Sequence, residues 1–272
     1  MIFEADFALS SRLNLLILSI AQGMEKQTLP MDDLTLAVET SGRVGSVALC
    51  RNGLCLEERY LDQTGRRHAQ TLVVEVDSLF RKFGVSSSDC RLVAVSIGPG
   101  SFTGLRVGVV FAKTFAYATE CQMVAVDTLH SIASASPSDV KEVYAVSDAG
   151  RSELYVGHYR RQQNDNWQRL GSIAIFDAVQ WCDARSVDDV VTGPGVERVI
   201  ELFAGRGRVL APEIRKPRAL YVARLGQRNL ALGQCNDLWN LEPFYLRKSA
   251  AEEKFEQQHV DCDSSHLSDH CP

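Results

Sequence analysis

The stretch Gly98-Pro99-Gly100-Ser101-Phe102-Thr103-Gly104-Leu105-Arg106-Val107-Gly108 decides the fold. It follows the apolar run 92–97, so it reads as strand, glycine turn, helix. A turn of this kind can aim backbone N–H groups at an anion, or it can serve close strand-to-helix packing with no ligand. From Thr103 to Ala118 the only charges are Arg106 and Lys113, two turns apart on one narrow stripe. Gly104, Gly108, Ala112 and Ala116 recur every fourth residue, the spacing that lines one helix face. A helix this apolar must be covered on nearly every side. Its own core is expected to cover one side and a partner another.

Upstream, residues 34–40 read as a strand, and residues 45–50 and 54–60 flank Asn52-Gly53, a strong hairpin signal. Residues 67–83 carry apolar side chains at 69, 72, 73, 76, 79, 80 and 83, a helical stripe closed by Gly84. Downstream, residues 123–126 form a short strand and 128–135 start a helix. The first half is therefore β-β-β-α-β-α-β-α. After a loop at 134–138, residues 143–147, 153–159 and 167–176 read as three more strands. A short helix follows near 178–182, then a strand at 189–192 ending in Gly193-Pro194-Gly195. Residues 196–204 and 219–232 are predicted helical, with a short strand at 209–210. Three strands followed by alternating helices, twice over, define a duplicated α/β chain whose cleft lies between the halves. The expected organisation is an N-terminal extension (1–33), a first lobe (34–138), a second lobe (139–249) and a polar tail (250–272).

The 272 residues are 45% hydrophobic and 23% charged with net charge −5 and a pI near 5.7. That balance argues against an independent nucleic-acid binder, which would be basic. Eight cysteines are scattered without a C-x-x-C pair, which points to reduced cytosolic thiols rather than a disulfide framework. The apolar run 13–21 is too short for a membrane span and lacks the positive flank of a signal peptide. With Met24 and Met31 following, residues 1–30 read as a dispensable extension or an overcalled start. An amphipathic element packed on the domain is the alternative. In the tail, His259, Cys262, His266, His270 and Cys271 have spacings that suit zinc, against the plainer reading of an unstructured polar segment.

The segments VETSGRVGSVAL (38–49), RRHAQTLV (66–73), SIGPGSFTGLRVGVVFAKTFA (96–116), VAVDTLHSIA (124–133), SDAGRSELYVGHY (147–159) and PFYLR (243–247) together resemble the bacterial TsaB family. The likeness runs from about residue 34 to 248; the stretch 98–108 is highly specific, whereas PFYLR alone would be weak. The resemblance implies a two-lobed, duplicated actin-like and Hsp70-like ATPase (ASKHA) fold. It implies a noncatalytic scaffold required for N6-threonylcarbamoyladenosine at position 37 of tRNAs, acting as a heterodimer with the catalytic paralog TsaD. It further implies contact with the small ATPase subunit TsaE, tRNA met indirectly through the complex, homodimer formation, a cytoplasmic location and no membrane. The rival readings are an ATP-dependent carbamoyltransferase or hydrolase in its own right, and a homodimeric binding protein that senses a small molecule such as a nucleotide.

The resemblance also sets the residue-level expectations. The catalytic paralog holds a metal through His-x-x-x-His on the helix after the strand ending near Val126. Here Thr128 and Ile132 fall at the ligand positions, His130 falls between them, and an isoleucine methyl cannot ligate a cation. No metal and no catalytic residue is expected. Glu39 stands where the family usually has Asp, and with Thr40, Ser41, Gly98 and Gly100 it marks a weak nucleotide site, any ATP belonging to the complex interface. A peptidase reading finds no support. Ser101 has no nominated base, His68 caps or lines its helix, and Asp148 sits in a strand-end turn.

Partner binding is expected along His68, Leu72, Glu75 and Leu79 of one helix and Gly104, Arg106, Gly108 and Ala112 of the next. Side by side they would form half of a four-helix bundle crossing at about 20°. The alternative is that sheet and neighbouring helix bury everything within the chain. On the first view, a large charged residue at Gly108 should break the complex and spare the fold. The basic run Arg206, Arg208, Arg215, Lys216, Arg218, Arg224 and Arg228 reads as a solvated face or, less simply, as a tRNA phosphate contact. Trp167, Trp181 and Trp239 are expected as core anchors.

Overall fold

The computed structural model describes residues 33–61, 68–163 and 165–247, without the side chains of 68–70. The chain divides into two units, 1–33 and 34–272, and all elements below belong to the second. The expectations placed on the N-terminal extension and on the Cys/His tail lie outside the described residues.

The first lobe is built on a five-stranded sheet of β1 (Leu34–Glu39), β2 (Ser46–Arg51), β3 (Leu54–Tyr60), β4 (Cys90–Gly98) and β5 (Gln122–Asp127). The order is β3-β2-β1-β4-β5, antiparallel through β3, β2 and β1 and parallel through β1, β4 and β5. Asn52 and Gly53 both take positive φ, as a tight two-residue hairpin turn requires. Side chains alternate across the sheet. Leu34, Leu36, Val38, Val93 and Val95 pack on one face beneath α1 (His68–Phe83) and α2 (Phe102–Thr119). The opposite face carries Ala37, Ala48, Ala94 and Val124.

The helix ends follow local rules. Ser101 caps α2 by accepting a hydrogen bond from the Gly104 N–H (3.3 Å). Gly84, at φ +61°, closes α1. Asp127 caps the short helix α3 (Thr128–Ala133).

The second lobe repeats the plan. Its sheet holds β6 (Glu142–Gly150), β7 (Glu153–Arg161), β8 (Trp167–Arg169), β10 (Val190–Thr192) and β11 (Arg208–Val209), with β9 (Ala174–Asp177) also paired to β7. Antiparallel pairs β8/β7 and β7/β6 are followed by parallel pairs β6/β10 and β10/β11, the same succession as in the first sheet. The remaining helices are α4 (Ala178–Asp183), α5 (Val196–Val199) and α6 (Ala219–Ala231).

Four expectations need correction. Residues 167–176 make two strands, because Gly171 at φ +78° breaks the run. The predicted helix 196–204 is only one turn of α-helix, from Val196 to Val199. Trp167 and Trp181 are buried as expected, but Trp239 is 72% exposed.

The fourth correction concerns the lobe boundary. Helix α6, expected in the second lobe, covers the far face of the first sheet through Ala219, Val222, Ala223 and Leu225. The small residues make that contact close, since a Cβ on Gly226 would overlap the Ala94 methyl. The chain beyond α6 also stays on the first lobe. Asn236 exchanges hydrogen bonds with Met123 O (2.9 Å) and Ala125 N (2.7 Å), and the Phe244 N–H donates to Ile97 O (2.8 Å).

Candidate functional site

At the carboxyl end of β1 the chain turns through Glu39, Thr40 and Ser41, all buried. The glycine turn after β4 closes directly onto this corner. The Ser101 N–H donates to Ser41 O (2.7 Å), and a Cβ on Gly100 would lie 2.6 Å from that same oxygen. Thr40 Oγ1 donates to Gly104 O (2.8 Å), and side chains at Gly104 or Gly108 would collide with Thr40 itself. Gly98, at φ +118°, faces Leu105 and the Phe244 carbonyl. The second lobe has the same closure, with the Gly195 N–H on Val146 O (3.1 Å) and Gly193 and Gly195 against Val146 and Ser147. Both glycine turns therefore serve backbone-to-backbone packing.

Glu39 is the charged group of this corner. Its Oε1 accepts from the Ser41 N–H (2.6 Å) and hydroxyl (2.5 Å). Its Oε2 and the nearby Ser96 hydroxyl make no full hydrogen bond. Burial, opposed in part by the Ser41 hydrogen bonds, pushes the Glu39 carboxyl above its ordinary pKa.

Other candidate chemistry is equally occupied. Thr128 Oγ1 accepts from the Gly98 N–H (3.1 Å), and Ile132 is fully buried in the core. His130 stacks on Tyr159 with ring centroids 5.4 Å apart, and desolvation lowers its pKa. Asp127 caps α3 and accepts from Tyr159 Oη (2.8 Å) and Arg169 Nη1 (3.2 Å). Among the described residues no group of three or more His, Cys, Asp or Glu side chains could hold a metal ion. Ser101 is a helix cap, Asp148 is held bidentately by Arg198 Nη1 (2.7 Å to each oxygen), and the His68 side chain lies outside the described residues.

The residues expected at a partner interface separate into two groups. Leu72, Leu79, Gly104, Gly108 and Ala112 face the lobe's own core, so the expectation that they touch a partner is corrected. Glu75 is half-buried and bonded to Arg59 Nη1 (3.3 Å). Arg106 is exposed, lies over the Phe102 ring (4.1 Å) and donates to Tyr245 Oη (3.2 Å).

The surface of the two helices is made by other residues. Val73 (59% exposed) and Val74 (63%) project from α1, and Val110 (61%) and Tyr117 (67%) from α2. Trp239 adds to this surface, its ring 5.8 Å from that of Tyr117. Val110 and Tyr117 lie on the Arg106–Lys113 stripe, so the two charges had marked the outward face.

Three of the seven cations in the basic run pair with carboxylates of the chain. Arg206 pairs with Asp183, Arg208 with Asp139 (2.5 Å) and Arg218 with Glu58 (2.5 Å), while buried Arg215 donates to Leu210 O (2.7 Å). Arg224 and Arg228 line a cavity of about 280 Å³ with Trp167, Tyr221 and Asp165.

The family model described as TsaD, tRNA N6-adenosine threonylcarbamoyltransferase, matches residues 60–201. The tRNA threonylcarbamoyladenosine biosynthesis protein TsaB of Escherichia coli is 28% identical, the alignment covering 80% of this chain and 96% of that protein. A solved structure, YeaZ from Pseudomonas aeruginosa, superposes with TM-score 0.68 at 30% identity, covering 79% of this chain and all of the other. By contrast, the tRNA N6-adenosine threonylcarbamoyltransferase of Phocaeicola vulgatus is 31% identical over only 37% of this chain and 34% of its own length. The molecule is thus a duplicated α/β protein of the class to which the TsaD model belongs. Within that class the chain belongs to the TsaB family.

Proposed function

We propose that this chain is a noncatalytic subunit in the formation of N6-threonylcarbamoyladenosine on tRNA, and that it works by holding a TsaD-type catalytic partner. End-to-end likeness to a TsaB protein, against a likeness to one third of a transferase, supports the role. One observation carries the mode of action. Two neighbouring helices on one face of the first sheet turn Val73, Val74, Val110 and Tyr117 to solvent, apolar side chains that a partner would cover. The glycine turn beside Thr40 and Ser41 is meanwhile packed against the chain's own backbone.

In this reading the partner's helices complete the bundle. Glu75 and Arg106 form polar edges, and a second copy of this chain competes for the same surface. ATP is bound and turned over elsewhere in the assembly, including a TsaE-type subunit, and not at Glu39, Thr40, Ser41, Gly98 and Gly100. The tRNA is reached through the complex in the cytoplasm. Among the described residues no helix is long and apolar enough to cross a membrane.

Co-expression with the catalytic partner tests the reading. Val110→Glu should weaken capture of the partner at least a hundredfold, equivalent to about 3 kcal/mol. Modified adenosine should fall with it, while circular dichroism of the purified chain stays unchanged. Unaltered capture, or modification that proceeds with this chain omitted, would reject the proposal.

A further inference from the structure

The hairpin that opens the first sheet carries two cysteines the scaffold role does not use. Its turn, Asn52-Gly53, joins Arg51 to Leu54, and the next register partners are Cys50 and Cys55. The register shifts immediately after this pair, between Leu49 and Cys50; in a regular hairpin closed by a two-residue turn, the second pair is the non-hydrogen-bonded one, with Cα atoms about 4.5 Å apart and side chains on the same face. That separation lies within the range a disulfide spans. The two thiols differ in access. Cys50 is 2% exposed, packed between β2 and α6 with Ala37, Ala48 and Ala223, whereas Cys55 is exposed.

We propose that Cys50 and Cys55 are a reversible oxidation site, with Cys55 as the attacking thiol, Cys50 as the resolving thiol, and a peroxide as the oxidant. The surrounding charges favour this division of labour. Interaction with the neighbouring Cys50 thiol brings the Cys55 pKa down to about 7. Arg218 and Arg224 on the α6 side lower it further, and burial and Glu58 oppose them. The same interaction, with burial, raises the Cys50 pKa and keeps it protonated until its turn comes.

In the first step the Cys55 thiolate attacks one peroxide oxygen. The O–O bond breaks, hydroxide leaves and takes up a proton, and a sulfenic acid remains on Cys55. The Cys50 sulfur then loses its proton and attacks the Cys55 sulfur, displacing the hydroxyl as water and forming the S–S bond. Two thiols give up two electrons and two protons, and one peroxide becomes two waters.

A second thiol pair, Cys90 and Cys121, shares this division, with the Cys121 pKa brought down to about 7 by Cys90, and differs in its placement. The two lie at the starts of β4 and β5 but are not register partners, since Cys90 aligns with Leu34 and Leu92 with Gln122. The Cys90 thiol is also held by the carbonyls of Leu92 (3.2 Å) and Leu34 (3.4 Å).

The test treats the folded full-length chain with equimolar hydrogen peroxide, blocks remaining thiols with iodoacetamide and maps tryptic peptides by mass. The expected result is one crosslink joining the Cys50 and Cys55 peptides, lighter by two hydrogens and lost on reduction with dithiothreitol. Cys50→Ala should instead leave Cys55 as a sulfenic acid that dimedone traps, and Cys55→Ser should leave Cys50 reduced and sheltered. Cys55→Ser replaces an exposed side chain, so it remains informative if the buried substitution unfolds the chain. A crosslink at Cys90–Cys121 alone, or a Cys55 that stays alkylatable after peroxide, would overturn the proposal.

Discussion

At the level of single residues, the corner between β1 and the glycine turn shows what the spacing of small residues means. Four-residue spacing of Gly104, Gly108 and Ala112 required something to come close, and periodicity alone does not say what. The structure answers that it is Thr40 of the same chain. Gly108→Arg should therefore unfold the chain, costing more than about 3 kcal/mol in urea denaturation, where an interface role would have spared the fold. Glu39 makes a prediction of the opposite sign. The folded chain holds the Glu39 proton more tightly than the unfolded chain, so this contribution is complete below the ordinary Glu value of 4.5. It is lost as pH rises through the higher folded-state value. Glu39→Gln keeps an acceptor for Ser41 and gives Ser96 a donor. It should raise stability at pH 8 by on the order of 1–3 kcal/mol and change it little at pH 4, as thermal melts at the two pH values would report.

At the level of elements, local signals located most of the fold. Asn52-Gly53 gave the hairpin, the 69–83 stripe gave α1, and the apolar run before Gly98 gave β4. The misreadings have one physical origin. Whether 167–176 is one strand or two depends on a positive φ at Gly171, and whether 196–204 stays helical depends on how Phe203 is drawn into the core beside Trp181. Neither shows in an apolar count. The candidate interface was legible as a pair of helices but not as a set of side chains, because a helix apolar all round does not declare which face the sheet takes. The outward face can be tested apart from binding. Val74→Glu leaves the core untouched, so its unfolding free energy should stay within about 0.5 kcal/mol of wild type, while partner capture falls as for Val110→Glu.

At the level of the whole molecule, chain order and packing order part company. Helix α6 follows the second sheet in sequence yet roofs the first, and the segment after it runs along α2, where Lys113 Nζ donates to the carbonyls of Trp239 (3.0 Å) and Leu241 (3.2 Å). The two lobes are therefore tied by three crossings of the chain: the link from β5 through α3, whose Leu129 and Ile132 join the second lobe's core, the segment leading into α6, and the return of Arg247 to Ala149 O (3.0 Å). A lobe that borrows its roof from beyond its neighbour cannot melt independently of it. Trp239 reports on the first lobe and Trp167 with Trp181 on the second, so single-tryptophan versions should unfold at coincident urea midpoints. Gly226→Leu would force α6 away from Ala94, and it should lower both midpoints together, by the equivalent of about 3 kcal/mol. Separate transitions, with only the Trp239 signal shifted, would mean that the second lobe stands without the helix it supplies.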